Sequence, residues 1–175
     1  MPQVGPWPAP PPPGRGALWL DGSLASAVAA GWLEAHGRDW VALTGPGGKA
    51  LAAHYGRPTT ETSFPAGPSD PGAVATAARF ALEAGADWLV LPLAGPDEDH
   101  GVPLALRLVE LEGAISRWGL PSLVAPLLRR DWRELGRLAV AFDVPMKLSL
   151  DCDRADDCAR CRGRARALAA AGLPR

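Results

Sequence analysis

A short polar loop lies where a parallel α/β protein places its anion-binding groups. The apolar run Gly16–Leu20 predicts a strand, and the Ala-rich stretch Leu24–Ala35 predicts a helix. The candidate residues around this junction are Asp21, Gly22, Ser23 and Ser26. Backbone amides at a helix start attract anions such as phosphates, so the loop is a candidate anion-binding site. The alternative is a plain helix cap, in which Asp21 or Ser23 accepts hydrogen bonds from those amides.

Three clustered cysteines form a second candidate site. They are Cys152, Cys158 and Cys161. Their number and distribution do not suit a secreted disulfide scaffold, and they favour a cytosolic metal knuckle over residues 152–161. A loop of reduced thiols is the alternative. The sequence therefore predicts a candidate metal site at these cysteines.

The histidines offer few candidates for a catalytic base. His36 ends a predicted helix and His54 lies beside an aromatic residue, so both are expected to be capping or exposed groups. His100, with Asp97 and Asp99, makes the best polar cluster near a strand end. This cluster is more typical of a solvated loop than of a catalytic site.

Alternating strands and helices must position these groups. Strands are predicted at 16–20, 39–44, 87–93 and 122–125 with an edge strand near 61–64, and helices at 24–35, 49–55, 73–83, 104–118, 132–142 and 162–171. Buried-type strands that alternate with helices of 10 to 15 residues predict a single, doubly wound parallel sheet of Rossmann-like α/β class. The run 87–93 is the most strand-like and is expected at the centre.

The length of 175 residues suits one domain, and 47% hydrophobic residues provide a core that needs no disulfides or metals. Residues 1–15 are rich in proline, which fixes φ and offers no amide donor. We expect a mobile, disordered tail over 1–15 and an α/β domain over 16–175.

Charge and hydropathy exclude several classes of function. A net charge of -1 gives no global field for a polyanion, so generic DNA binding is not expected. No apolar run reaches the roughly 18 residues that span a bilayer, and the first residues do not resemble a signal peptide. The sequence therefore predicts a cytoplasmic protein without a membrane role.

A strip of arginines occupies positions 160, 162, 164 and 166, close in the sequence to the aspartates at 153, 156 and 157. We expect these opposite charges to compensate each other at the surface.

The polar loop and the C-terminal stretch together resemble a known family. Residues 18–27 resemble the pyrophosphate loop Ser-Gly-Gly-x-Asp-Ser of ATP-pyrophosphatase-type (PP-loop) enzymes, with Gly22 and Ser26 matching. Residues 138–174, which hold the cysteines, are similar to the tail of the 7-cyano-7-deazaguanine synthase (QueC) family. The resemblance covers most of residues 16–174. It implies an adenine-nucleotide α-hydrolase-like fold, ATP-dependent formation of a nitrile from a 7-deazaguanine carboxylate, and a structural zinc.

Departures from the family pattern concentrate in the loop. The family has Ser at the position of Asp21, Gly at that of Ser23, and Asp at that of Ala25. Each change is unfavourable to ATP and magnesium, because it adds a carboxylate or a Cβ or removes a polar side chain at the phosphate site. Further along, the family's Pro-Gly-Arg-Asn motif is reduced to residues 71–74, and its helical Lys aligns at or near Trp132.

The cysteine pattern is also incomplete. The family carries one upstream cysteine followed by Cys-x2-Cys-x2-Cys, and the last of these positions is Arg164 here. A cation cannot bind zinc, so the resemblance implies a fourth ligand from a nearby aspartate, a water or a partner.

Two functional hypotheses follow from the resemblance. The first is a 7-cyano-7-deazaguanine synthase-like binding module with lost ATP chemistry and no catalytic residues, whose surface serves a protein partner or a second copy of the chain. The alternative is a divergent ATP-dependent ligase that acts on a nucleotide or deazapurine and forms an amide or nitrile. The apolar positions of most tryptophans favour a role in the core or an interface over base stacking.

Overall fold

The computed structural model describes residues 8–63, 67–96, 103–149 and 159–172, with the backbone alone at 46 and 159–161. The strands are β1 (Gly16–Leu20), β2 (Trp40–Thr44), β3 (Thr59–Glu61), β4 (Trp88–Val90) and β5 (Ser122–Val124). The helices are α1 (Leu24–Ala35), α2 (Lys49–His54), α3 (Pro71–Glu83), α4 (Leu104–Ser116), α5 (Trp132–Ala141) and α6 (Ala159–Ala170). Short 3-10 turns cover Pro46–Gly48 and Met146–Leu148. Within the described ranges, every helix is too short or too polar to cross a membrane.

The five strands form one all-parallel sheet in the order β3-β2-β1-β4-β5. The predicted doubly wound parallel α/β class is confirmed. The predicted centre is wrong, because β1 pairs with both β2 and β4 and is the middle strand. Hydrophobicity does not identify the central strand, since every interior strand of a parallel sheet is buried on both faces.

Two apolar layers cover the two faces of the sheet. Helices α1, α2, α5 and α6 pack on the face that carries Leu18 and Leu20. Helices α3 and α4 pack on the opposite face, which carries Ala17 and Trp19. Alternate residues of β1 therefore enter different cores, as the two-residue repeat of a strand requires.

The tryptophans divide between core and surface. Trp19, Trp32, Trp40 and Trp88 are buried in the two layers. Trp118 was expected on a packed element, but it lies just beyond α4 and its side chain is 67% exposed. The helix ends at Ser116, two residues earlier than predicted, so Trp118 is no longer on the buried helical face.

Part of the proline-rich segment is packed on the domain. The sequence predicted a mobile tail over residues 1–15, but residues 8–15 instead lie against the amino end of the sheet. Arg38 donates to the carbonyl of Pro11 at 3.0 Å, and Trp88 Nε1 donates to the carbonyl of Pro13 at 3.1 Å. Prolines offer no amide donor, but their carbonyls still accept hydrogen bonds.

A tight crossing joins α5 to α6. Gly136 lies beside the carbonyl of Ala167, and Gly163 lies against the ring of Trp132. A four-residue step along α5 matches a four-residue step along α6 in the same direction, so the two helices run parallel. The close approach of the two backbones requires Gly136, and the ring of Trp132 leaves no room for a side chain at Gly163.

Polar and aromatic side chains of α1, β2 and the segment after α2 form a cluster. Glu34 Oε1 accepts from Trp40 Nε1 at 2.8 Å and from Arg57 Nε at 2.6 Å. The ring of Tyr55 packs edge-on against Trp40. The Tyr55 hydroxyl is buried without a hydrogen-bond partner in the described part of the chain. Burial, and then the negative charges of Glu34 and Asp143, raise the pKa of Tyr55 to about 12.

Gly136→Ala should destabilise the domain by roughly 2 kcal/mol, because the new Cβ collides with the carbonyl of Ala167. Gly113→Ala in α4 is the matched control, since nothing lies within 4 Å of its Cβ position. The control should gain up to about 1 kcal/mol of helix propensity. Urea denaturation measures both free energies of unfolding, and equal effects of the two substitutions would contradict the close crossing.

Tyr55 is the only tyrosine in the chain, so phenolate absorbance reports its ionisation alone. We expect a titration midpoint near 12 in the folded protein instead of the ordinary 10.0. Because the folded state holds this proton more tightly than the unfolded chain, the free energy of unfolding should fall as the pH rises between these two values. Circular dichroism on the same samples identifies the folded fraction. A midpoint near 10.0 while the chain is folded would show that the hydroxyl is solvated.

Candidate functional site

The carboxyl ends of the parallel strands meet at one edge of the sheet, where ligands bind in open α/β proteins. The loop after β1 leads into α1, and the turn after β2 leads into α2. The segment after β5 leads into α5 at the same edge. The predicted loop over Asp21 to Ser26 is therefore placed where the sequence expected it.

Side chains of the β1–α1 loop bind the backbone of that loop. Asp21 Oδ1 accepts from the amide of Ser23 at 2.9 Å. The hydroxyl of Ser23, the N-cap of α1, accepts from the amide of Ser26 at 3.2 Å. The hydroxyl of Ser26 donates back to the carbonyl of Ser23 at 2.9 Å. The loop thus has the geometry of a helix cap, which is the alternative that the sequence left open.

The turn after β2 packs directly on this loop. Gly22 has a φ of +87° and lies against the carbonyl of Gly47. A Cβ at Gly47 would lie 2.7 Å from the carbonyl oxygen of Asp21. A Cβ at Gly48 would overlap the carbonyl oxygen of Leu20. The two loops therefore meet backbone to backbone, and glycine is required on both sides of the contact.

The first turn of α1 faces the core. Ala25 is 6% exposed and Ser26 is fully buried. Ala25 belongs to the apolar layer formed with α5 and α6. The position that carries a family aspartate in the resemblance is therefore a packing position in this chain.

Carboxylates also cap two other helices at this edge. Asp70 accepts from the amide of Ala73 at 2.8 Å at the start of α3. Asp131 accepts from the amide of Glu134 at 2.8 Å, and Glu134 accepts from the amide of Asp131 at 3.1 Å, which completes a capping box on α5. Helices α2 and α4 have no side-chain cap.

A cavity of about 300 Å³ lies beyond β4 and β5. Its lining residues are Gly95, Pro96, Ala105, Leu128, Arg129, Arg130 and Asp131. Arg130 forms an ion pair with Glu134 at 2.8 Å, whereas Arg129 is exposed and forms no ion pair in the described part of the chain. A cationic pocket of this size suits a small anionic ligand.

Sequence reasoning did not select these two arginines. The available signal was an arginine pair directly after a strand and before the Asp131 cap. Its position in the chain corresponds to a βα loop at the ligand-binding edge.

The other positions that align with family motifs have structural contacts. In the resemblance, residues 46–49 stand where the family has Asp-Tyr-Gly-Gln, and Lys49 forms an exposed ion pair with Glu61 at 2.7 Å. Ala73 and Val74 are fully buried under the sheet. Trp132 is half-buried and packs over Gly163. These positions contribute packing and surface charge.

The two histidines in the described residues lie at the ends of helices α1 and α2. His36 Nδ1 lies 2.8 Å from the carbonyl of Trp32 at the end of α1. His54 packs edge-on against Tyr55, with ring centroids 4.9 Å apart. The cluster of His100, Asp97 and Asp99 lies outside the described residues.

The cysteine knuckle is only partly within the described chain. Cys152 and Cys158 lie outside the described residues, and Cys161 falls in α6 without a described side chain. Arg164, at the position of the family's last cysteine, donates to the carbonyl of Met146 at 3.3 Å. Across the described ranges, no three His, Cys, Asp or Glu side chains are grouped to hold a metal. Arg164 does not fit a closed four-cysteine zinc site, and the three-cysteine set stays a prediction.

Comparisons with known proteins identify the fold. No protein-family model and no curated protein matches the chain. Among solved structures, the chain is similar to the U34-tRNA thiolase NcsA from Methanococcus maripaludis, determined with its [4Fe-4S] cluster, with a TM-score of 0.57 and 14% identity. The alignment covers 90% of this chain and 65% of the thiolase, so the chain spans about two thirds of its length. At this identity the likeness shows the fold alone, and it agrees with the predicted parallel, Rossmann-like α/β sheet.

Proposed function

We propose that the chain is a non-catalytic binding module with the PP-loop ATPase fold, of the 7-cyano-7-deazaguanine synthase type, whose pyrophosphate loop no longer accepts ATP. The observation that carries this proposal is the hydrogen bond from the Ser23 amide to the Asp21 carboxylate. A carboxylate of the chain itself takes the place of an anionic ligand on the loop.

Hydrogen bonding in the loop supports this proposal first. An anion that binds at a helix start needs backbone amides that it can approach. The amides of Ser23 and Ser26 already donate to side-chain oxygens of the same loop. A phosphate would have to displace both side chains before it formed these bonds.

Electrostatics support it next. A phosphate oxygen about 4 Å from the Asp21 carboxylate is repelled by roughly 4 kcal/mol at an effective dielectric constant of about 20. The dipole of α1 returns at most about 2 kcal/mol in a partly buried geometry. The balance therefore disfavours a nucleotide phosphate at this loop.

Packing around the β1–α1 loop opposes a return to the family's loop sequence. Ala25 lies in the apolar layer, so an aspartate at this position would bury a charge without a partner. The Gly47–Gly48 turn closes the loop from the side of β2. Restoring the family motif in full is therefore expected to destabilise the domain.

The competing hypothesis is the divergent ligase, which one observation favours. The cavity that Arg129 lines lies at the carboxyl edge of the sheet, beside the first turn of α4. A nucleotide phosphate could bind there without using the β1–α1 loop. This binding would leave Asp21 without effect on affinity.

Asp21→Ser should raise the affinity for ATP with magnesium by at least about tenfold, because the repulsive carboxylate is removed from the loop. The unmodified chain should bind ATP no more tightly than millimolar. Isothermal titration calorimetry measures both affinities. Turnover should remain absent, since buried Ala73 and Val74 replace polar groups of the family motif.

Asp70→Ser is the control, because Asp70 also caps a helix at the same edge but belongs to α3. It should leave the affinity for ATP unchanged. Micromolar binding by the unmodified chain together with pyrophosphate release would contradict the proposal and support the ligase. Equal affinities of the unmodified chain and Asp21→Ser would show that the carboxylate does not oppose the nucleotide.

We also propose that the cysteines belong to a metal knuckle that has lost one ligand. The support is the family spacing of Cys158 and Cys161, together with Arg164 at the next position of the repeat. The thiolase with the similar fold holds an iron–sulfur cluster, so iron and zinc should be measured together. Three thiolates leave one coordination position of tetrahedral zinc to a weaker ligand.

Arg164→Cys should raise the zinc content of the purified protein to about one per chain, because it supplies the fourth thiolate. Elemental analysis measures zinc and iron in the unmodified chain, which should hold distinctly less zinc. Adding Cys158→Ser to Arg164→Cys should return the content to the lower value. An unchanged zinc content in Arg164→Cys would show that the cysteines are not arranged around a metal.

A further inference from the structure

Helix α4 carries apolar residues on two opposite sides. Leu104, Leu111 and Ile115 are buried in the layer that packs on the sheet. Leu106 and Val109 are 58% and 65% exposed, and they lie three residues apart on the other side of the helix. A surface helix ordinarily presents polar residues to solvent opposite its buried stripe. The outward apolar residues of α4 therefore indicate a contact surface.

The outer side of α4 continues as a row of residues spaced three or four apart. Gly113 and Arg117 follow Val109 at steps of four, and both are exposed. Nothing in the described part of the chain lies within 4 Å of the Cβ position of Gly113, so packing within the chain does not require a glycine there. A position without a side chain lets another backbone approach the helix closely. We name the surface formed by Leu106, Val109, Gly113 and Arg117 the outer face of α4.

The charges at this face have opposite signs on the two sides of Gly113. Glu110 lies three residues before Gly113, and Arg117 lies four residues after it. Residues seven apart lie on nearly the same side of a helix, so the two charges share one border of the outer face. Glu110 is exposed and pairs with Arg107 at 2.9 Å, whereas Arg117 forms no ion pair within the described residues. This border thus has a carboxylate at one end and a guanidinium at the other.

The outer face of α4 is complementary to itself. A two-fold axis at Gly113, perpendicular to α4, produces an antiparallel helix pair. In this pair Arg117 of each copy lies opposite Val109 and beside Glu110 of the other copy. An arginine can pack its aliphatic stem on an apolar residue while its charged end reaches a carboxylate. The contact forms twice, because a two-fold interface uses the same surface on both copies.

Other partners fit this pattern of charges less well. In a parallel pair of α4 helices each residue faces its own equivalent, so Glu110 would meet Glu110 and Arg117 would meet Arg117, and like charges repel each other. An unrelated protein would not require opposite charges at nearly equal distances from Gly113, whereas an antiparallel two-fold pair does. The net charge of -1 adds little repulsion between two copies of the chain.

We propose that two copies of the chain associate through the outer face of α4, as an antiparallel helix pair with Gly113 at the crossing. This association goes beyond the loss of ATP binding proposed above, because it uses no residue of the β1–α1 loop. Val109 packs on the second copy near the crossing, Leu106 lies at the edge of the contact, and Glu110 pairs with Arg117 of the second copy. An interface centred on one helix belongs to the small size class, so monomer and dimer exchange at micromolar concentrations.

Two charge-reversal variants test the pairing between copies. Sedimentation equilibrium of the full chain should give a monomer–dimer Kd on the order of 1 to 100 µM. Glu110→Arg brings like charges together in its own dimer, and so does Arg117→Glu, so each variant alone should raise the Kd at least about tenfold. An equal mixture of the two variants should return the Kd to within about threefold of the unmodified chain, because each copy then supplies the charge that the other needs.

Apolar variants test the other part of the contact. Leu106→Gln with Val109→Gln should raise the Kd at least about tenfold, because both copies lose two apolar side chains from the interface. Leu82→Gln with Val140→Gln is the matched control, since these residues are 49% and 55% exposed but lie on α3 and α5. The control should leave the Kd within about twofold of the unmodified chain. Circular dichroism should show the same helix content for every variant.

A chain that stays monomeric up to about 1 mM, or a dimer whose Kd the outer-face variants leave unchanged, would overturn the proposal. Equal losses in the control and the outer-face variants would also overturn it, as would a mixture of the two charge variants that stays monomeric. Calorimetry with ATP should give these variants the affinity of the unmodified chain, so the dimer and the β1–α1 loop are tested separately. Gly113→Ala serves as the stability control at chain concentrations well below the Kd, where the monomer predominates.

Discussion

The backbone of Gly48 lies directly against the carbonyl of Leu20, and the ends of the first two strands depend on this contact. A side chain at Gly48 would separate the turn after β2 from the end of β1. Because β1 is the middle strand and pairs with both neighbours, such a displacement would reach both halves of the sheet. The same contact places the Gly47 carbonyl against Gly22, so it also holds the turn after β2 against the β1–α1 loop.

At the carboxyl edge of the sheet, side chains of the chain itself bind the amides at the starts of three helices. In an open α/β sheet the helix starts at this edge offer unpaired amides. Here Ser23, Asp70 and Asp131 satisfy amides of α1, α3 and α5 with side-chain oxygens. These caps stabilise the helices by about 1 kcal/mol each. Groups that could bind anions therefore contribute to folding at these three helix starts.

Close packing of α5 against α6 determines which arginines of α6 are exposed. Gly136 and Gly163 allow α5 and α6 to approach until the backbone of one meets the side chain or backbone of the other. This approach fixes the rotation of each helix about its own axis. The rotation in turn directs Arg164 to the Met146 carbonyl and leaves Arg162 and Arg166 at the surface. The same two glycines therefore allow the packing that leaves Arg162 and Arg166 at the surface.

The sequence by itself determined the α/β class, the bounds of most helices and strands to within a few residues, and the place of the Asp21 loop after the first strand. These properties depend on local signals, namely hydrophobic periodicity, caps and glycine breaks. Tertiary structure decided that β1 and not β4 is central, that residues 8–15 pack on the sheet, and that Asp21 binds the amide of Ser23. It also decided which arginines face outward. Strand order, docking and side-chain direction depend on contacts between distant residues, which no local pattern records.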